Sequence, residues 1–197
     1  MKYCILMGSP RKNGNTASLL NVFVNALEKA GSDVSCIWLY DKNIKPCIGC
    51  KNCQNNWDGF GCVLEDDMQD IFDQVYESDF LILATPIYSW YCTSPMKASL
   101  DRLAYGMNKY YGEKKGPSLW KGKRCAIIAT CGYRPEKGAD VFEEGIIRYC
   151  KHSSLIYSGM LSARDKGDQS SFMSRQTAEK TEKFAESLLN MRLDANN

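Results

Sequence analysis

Five short apolar runs, at residues 3–7, 34–40, 79–84, 124–130 and 155–161, alternate along the chain with stretches of helical period. Strands separated by helices pair in parallel and cross over with a single hand, so the alternation narrows the fold more than any composition does. Apolar residues recur at helical spacing in 17–30, after Asp66-Asp67, from Ser94-Pro95, in 138–151 and in 174–190. The runs themselves are nearly continuous in apolar residues, as strands covered on both faces are. The pattern predicts a three-layer, doubly wound α/β domain whose five parallel strands lie in the order 2-1-3-4-5, with the third at the centre. A length of 197 residues suits one such domain over 1–197, carrying a cysteine-rich insertion at about 41–65.

The first run leads directly into Gly8-Ser9-Pro10-Arg11-Lys12-Asn13-Gly14-Asn15-Thr16 and then into a helix. A turn of this kind sets backbone N–H groups, hydroxyls and amides at the positive end of a helix dipole, where an anion is favoured. Arg11 adds a fixed charge suited to phosphate. The competing reading is a plain loop with Thr16 as helix cap. No Lys follows Gly14 as a P-loop requires, and GxGxxG is missing, which disfavours a nucleoside-triphosphate hydrolase and a dinucleotide site. Cys4 lies inside the strand, which disfavours a thiol phosphatase. What remains is a phosphate ester held without metal, and FMN at the switch point of a flavodoxin-like sheet is the natural candidate. The loop after the third run, Thr85-Pro86-Ile87-Tyr88-Ser89-Trp90-Tyr91, offers a flat wall and backbone donors for an isoalloxazine ring. Trp90 and Tyr91 read equally well as core or interface aromatics. Thr130-Cys131-Gly132-Tyr133 forms a third loop at the same edge.

Gly8-Ser9-Pro10-Arg11 through Asn15-Thr16, Pro46-Cys47-Ile48-Gly49-Cys50-Lys51-Asn52-Cys53, Asp66-Asp67-Met68, Thr85-Pro86-Ile87-Tyr88, and Met96-Lys97 with Asp101-Arg102 follow at even spacing over about 1–135. In that order they resemble the NADPH-dependent FMN reductases, in the branch shared with the iron–sulfur flavoproteins. The resemblance implies FMN, with its phosphate at Ser9, Arg11, Asn13, Gly14, Asn15 and Thr16, and its ring edge along the backbone from Thr85 and Pro86 through Ile87 and Tyr88 to Ser89. Thr130, Cys131 and Gly132 would meet the ring or ribityl chain. It further implies NAD(P)H as co-substrate, hydride arriving at flavin N5 and electrons leaving to a free flavin, a quinone or another small-molecule acceptor. No catalytic side chain is then required. Family members are commonly homodimers or homotetramers, with Trp57, Phe60 and the aromatics after Tyr88 as candidates for the subunit boundary.

Ten cysteines are many for such a chain, and Cys4, Cys36, Cys125 and Cys150 fall in apolar runs as small hydrophobes. Cys47, Cys50 and Cys53 are close enough for their sulfurs to converge, and Cys62 follows after eight residues. In the iron–sulfur branch such a run ligates a [4Fe–4S] cluster, usually with a somewhat shorter final gap. A cluster, a four-thiolate zinc site and reduced cysteines packing a loop all stay open on these residues. A cluster would make the chain an electron carrier served by a ferredoxin-like donor.

A formal net charge of +2 leaves no electrostatic footprint for nucleic acid. Lys109, Lys114, Lys115, Lys121, Lys123 and Arg124 read as a solvated face around a loop. No apolar run is long enough to span a membrane and no signal-peptide pattern opens the chain, so a cytoplasmic location is expected. Asp66-Asp67 reads as a helix cap, Lys97–Asp101 and Glu179–Lys183 as i,i+4 pairs, and His152, the single histidine, as a helix-terminal cation.

Overall fold

In the computed structural model, five parallel strands form one sheet in the order β2-β1-β3-β4-β5: β1 is Lys2–Met7, β2 Asp33–Trp38, β3 Phe80–Pro86, β4 Arg124–Cys131 and β5 Ile156–Arg164. The structure describes residues 1–167 and 172–191; the rest of the expected 1–197 domain lies outside them. The helices are α1 (Asn15–Lys29), α2 (Met68–Glu77), α3 (Ser94–Met107), α4 (Pro135–Gly138), α5 (Asp140–Ser153) and α6 (Arg175–Asn190).

Alternate residues of β1 bury into different layers. Tyr3, Ile5 and Met7 join the core under α1 and α6, while Cys4 and Leu6 join the core under α2, α3 and α5. Both faces are therefore dry, which explains why the runs carry almost no polar residue. Gly8 ends β1 where the chain meets α3: a Cβ there would stand 2.9 Å from Thr93 Oγ1 and 3.2 Å from Thr85 Oγ1. Its N–H donates to Ala84 O, and its carbonyl accepts from the Thr93 hydroxyl.

Several local expectations change. β2 stops at Trp38 and passes into a 3-10 turn at Leu39–Asp41. It is an edge strand, so one side is open and Cys36 is exposed, not a core hydrophobe. α1 begins at Asn15 with Gly14 as cap, so Thr16 is not the cap. α3 begins at Ser94, where the helical period starts in the sequence, with Thr93 as its cap. Glu179 pairs with Arg175, one turn back, not with Lys183. Lys97–Asp101 forms as expected.

The basic cluster divides. Arg124 donates to Met191 O beside the end of α6, and Lys123 to Tyr76 O in the last turn of α2, so these cations sit at negative helix ends. Lys109 is fully buried, contrary to a solvated face.

Candidate functional site

The carboxyl ends of β1, β3, β4 and β5 converge on a cavity of about 310 Å³, lined on one side by Ser9, Arg11, Gly14, Asn15 and Thr16. α1 opens onto it with no side-chain hydrogen bond at its cap and no acid in its first turn, so its positive end is uncompensated. Arg11 is exposed and makes no ion pair among the described residues. The Ser9 hydroxyl accepts from the Arg11 N–H at 3.2 Å and lies 3.3 Å from the Arg11 carbonyl, so it shapes the turn. Thr16 and Thr130 share a hydroxyl contact of 2.7 Å that ties α1 to β4. Asn15 Oδ1 is buried without a hydrogen-bond partner among the described residues.

The far side is lined by Pro86, Ile87, Tyr88, Thr130, Cys131 and Gly132, joined by Asp165 and Gly167. The loop after β3 offers fewer donors than its sequence suggests, because Ile87 N–H bonds Thr130 O and Tyr88 N–H bonds Tyr91 O. Tyr88 and Tyr91 pair across a two-residue turn in which Ser89 and Trp90 adopt φ of 50° and 63°. Two consecutive side chains in the left-handed region are strained, each at a cost of about 1–2 kcal/mol. The turn leaves Trp90 half-exposed and stacked on Tyr133 at 5.8 Å, with its Nε1–H donating to Lys137 O. Tyr91 turns inward instead, edge-on to Phe142 at 5.3 Å.

Of the sequence-derived set, Asn13, Thr85 and Ser89 do not line the cavity. Thr85 is fully buried beneath it, its hydroxyl donating to Pro86 O and accepting from Thr93 N–H. Asp165 and Gly167 were missed, although any residue following the fifth run had to arrive at the same edge. Asp165 N–H donates to Cys131 O at 2.8 Å, which fixes that loop against β4. A larger hollow, about 530 Å³, opens at the amino ends of β3 and β4 among Lys121, Lys123 and Arg124. Helices finish there, so it lacks the anion-attracting end that the smaller cavity has.

A second, small cavity, about 20 Å³, is lined by all four loop cysteines, Cys47, Cys50, Cys53 and Cys62, with Phe60, Arg102 and Tyr105. Among the described residues no three side chains are arranged as a ready-made metal-ligand group. Arg102 is buried, with Nη1 paired to Asp66 and Nη2 donating to Cys62 Sγ at 3.1 Å. Asp66 is thus more than a cap. Its burial pushes its carboxyl up, but Arg102 and the N–H groups of Lys45 and Met68 outweigh that and hold it below the ordinary value. Burial pushes the Cys53 thiol up, against the Gln54 amide and the Lys109 ammonium, which favour the thiolate. Phe60 stacks on Phe72 at 4.9 Å inside the core, which removes it from the expected subunit boundary. Trp57 is exposed.

The sequence pattern described as NADPH-dependent FMN reductase matches residues 1–141, the span holding the glycine-containing turn after β1, the aromatic turn after β3 and the fourth strand. The chain belongs to that family. An iron–sulfur flavoprotein of Archaeoglobus fulgidus is 38% identical over 120 residues, 60% of this chain and 53% of that protein. A further iron–sulfur flavoprotein of the same organism is 33% identical over 156 residues, 79% of this chain and 71% of its own. The match spans about half the length of several of these curated relatives. Among solved structures, an NAD(P)H:quinone oxidoreductase from Methanothermobacter marburgensis superposes with a TM-score of 0.74 at 15% identity, covering 95% of this chain and 96% of that one. That likeness establishes the shared flavodoxin-like fold.

The family's FMN fits the residues at the first cavity. The buried Asn15 oxygen and the Arg11 guanidinium, neither paired among the described residues, and the uncompensated end of α1 supply what a phosphate and its neighbouring hydroxyls need. A Cβ at Gly132 would meet nothing within 4 Å, so open space faces that backbone. The four-cysteine cavity carries the donor types of a thiolate-ligated cluster, with the buried cations Arg102 on Cys62 Sγ and Lys109 on Cys53 O, although its sulfurs form no ready-made ligand group among the described residues.

Proposed function

We propose that the chain is an FMN-dependent oxidoreductase that takes electrons from NAD(P)H and passes them to a flavin, a quinone or a similar small acceptor. One observation carries this reading: the start of α1, with no side-chain hydrogen bond at its Gly14 cap and no acid in its first turn, meets Arg11 and the strand-end loops at one cavity. Bound FMN would supply hydride acceptance and electron release. The chain's part is to hold the phosphate at Arg11, Asn15 and Thr16, to set the ring against Pro86–Tyr88 and Gly132, and to leave one ring face to substrates. Trp90 on Tyr133 is a wall at the edge of that face. No side chain here needs to act as acid, base or nucleophile.

The reading extends to one domain, a homodimer or homotetramer, and a cytoplasmic location. The last is supported by ten cysteines that are all free thiols. An absorption spectrum of anaerobically isolated protein, followed by NADPH oxidation with menadione or free FMN as acceptor, tests it. Flavin bands with acceptor-dependent turnover are expected, and a colourless protein that ignores added FMN would overturn the reading.

A second reading is favoured by the four cysteines on one cavity beside two buried cations: an iron–sulfur flavoprotein that carries electrons through a [4Fe–4S] cluster from a ferredoxin-like donor. Iron and acid-labile sulfide analysis of the same preparation decides between the two.

A further inference from the structure

Lys109 follows α3 and is fully buried, yet no carboxylate lies within ion-pair distance of it among the described residues. Its ammonium instead donates to three carbonyl oxygens: Cys53 at 2.9 Å, Gly59 at 2.7 Å and Phe60 at 3.4 Å. Three donors meet three acceptors, so the group is satisfied in hydrogen bonds and unsatisfied in charge. A cation buried without a counter-charge is an expensive arrangement that core packing alone gives no reason to keep.

The three acceptors are unevenly placed along the chain. One belongs to the third cysteine, and the other two lie just before Cys62. The ammonium therefore clamps both ends of the long segment between Cys53 and Cys62 and folds it back, so that Cys62 reaches the cavity of Cys47, Cys50 and Cys53. The backbone around Lys109 is built for this. Its N–H donates to Pro117 O at 2.9 Å and its carbonyl accepts from Gly116 N–H at 2.6 Å. A Cβ on Gly116 would stand 2.7 Å from Lys109 Cβ and 2.8 Å from the Trp57 ring. Gln54 braces the same segment, its amide donating to Tyr105 O at 2.7 Å and Asn108 O at 3.1 Å and accepting from Tyr111 N–H at 3.0 Å.

We infer that Lys109 is the positioning residue of the four-cysteine site. Its ammonium folds the eight-residue gap so that the fourth thiol joins the other three, and it is the fixed positive charge that offsets a cluster with four thiolates. The long gap, which departs from the usual family spacing, is thereby reconciled with a four-cysteine site. This rests on the cluster reading above for its charge half; the folding half does not need the cluster.

The test uses the full chain and the variants Lys109→Met, which removes the charge, and Gly116→Ala, which displaces the ammonium and keeps it. In protein without iron, iodoacetamide labelling followed by peptide mass spectrometry should show Cys53 and Cys62 reacting about tenfold faster or more in both variants, the size of one lost charge-assisted hydrogen bond. Cys4, Cys125 and Cys150 should be unchanged, which separates a loosened loop from an unfolded protein. Unaltered labelling of Cys53 and Cys62 overturns the folding role. Should Lys109→Met unfold, Gly116→Ala carries the same readout. Anaerobic reconstitution with ferrous iron and sulfide should load the wild type fully and both variants less. What loads in Lys109→Met should show a more negative cluster potential, and what loads in Gly116→Ala a potential close to the wild type's. Equal loading and potential in Lys109→Met overturns the charge role. A wild type that takes up no cluster overturns the parent reading, while faster labelling in the variants still upholds the clamp.

Discussion

On the proposed reading Arg11 is the side chain on which anion binding at the first cavity most depends, because it is an exposed guanidinium with no ion pair among the described residues. Arg11→Ala is expected to weaken FMN by about 1–3 kcal/mol, roughly 5- to 150-fold, read from the quenching of flavin fluorescence on titration. An unchanged affinity would remove Arg11 from the site. Asp66 and Arg102 pose the opposite case, a buried pair whose separation leaves a stranded charge. Asp66→Asn should cost about 3 kcal/mol and lower the thermal midpoint by about 10 °C. The pH sign follows from a carboxyl held below its ordinary value of 3.8. Its contribution is complete above that value and is lost as pH falls through the lower folded value. Acid unfolding of the wild type should therefore steepen below about pH 3.8, and Asp66→Asn should lose that part of the slope. The i,i+4 pair Lys97–Asp101 could be read from spacing, whereas Asp66–Arg102 joins positions 36 apart and no local rule reaches it.

At the scale of elements, the turn after β3 concentrates the strain. Ser89 and Trp90 occupy positions where glycine would be free, and the outcome is an indole held against Tyr133, with its N–H on Lys137 O. Ser89→Gly should relieve about 1 kcal/mol and raise the thermal midpoint by about 2–4 °C, with FMN affinity kept, as differential scanning calorimetry and titration would show. A lowered midpoint would mean that the strain resides elsewhere. The apolar runs announced the strands because both faces of each inner strand are buried. The exposure of Cys36 on β2 was less visible, because an edge strand and an inner strand can carry similar residues while differing in what lies beside them. The loop donors at Ile87 and Tyr88 were over-read for a related reason: hydrogen bonds to Thr130 and Tyr91 are made by the fold, and a sequence shows only that an N–H exists.

For the whole molecule, Tyr88, which lines the cavity, and the stacked pair Trp90 and Tyr133, from the two loops that line it, are exposed aromatics, and a second copy is the occupant that the oligomer proposal gives them. Sedimentation velocity should find a dimer or tetramer, and Trp90→Ser combined with Tyr133→Ser should shift it toward monomer; a monomeric wild type would undo that proposal. The sequence by itself determined the alternation of strands and helices and the sheet order, and it singled out the turn between β1 and α1 as the candidate place for an anion. Each of these follows from local period, chirality and the dipole of one helix, which act over a few residues. Only the tertiary structure decided that Lys109 is buried, that it grips Cys53, Gly59 and Phe60, and that Asp165 joins the cavity. Burial and charge pairing depend on which distant segments the packed core brings together, and that information is not carried by any single stretch of the chain.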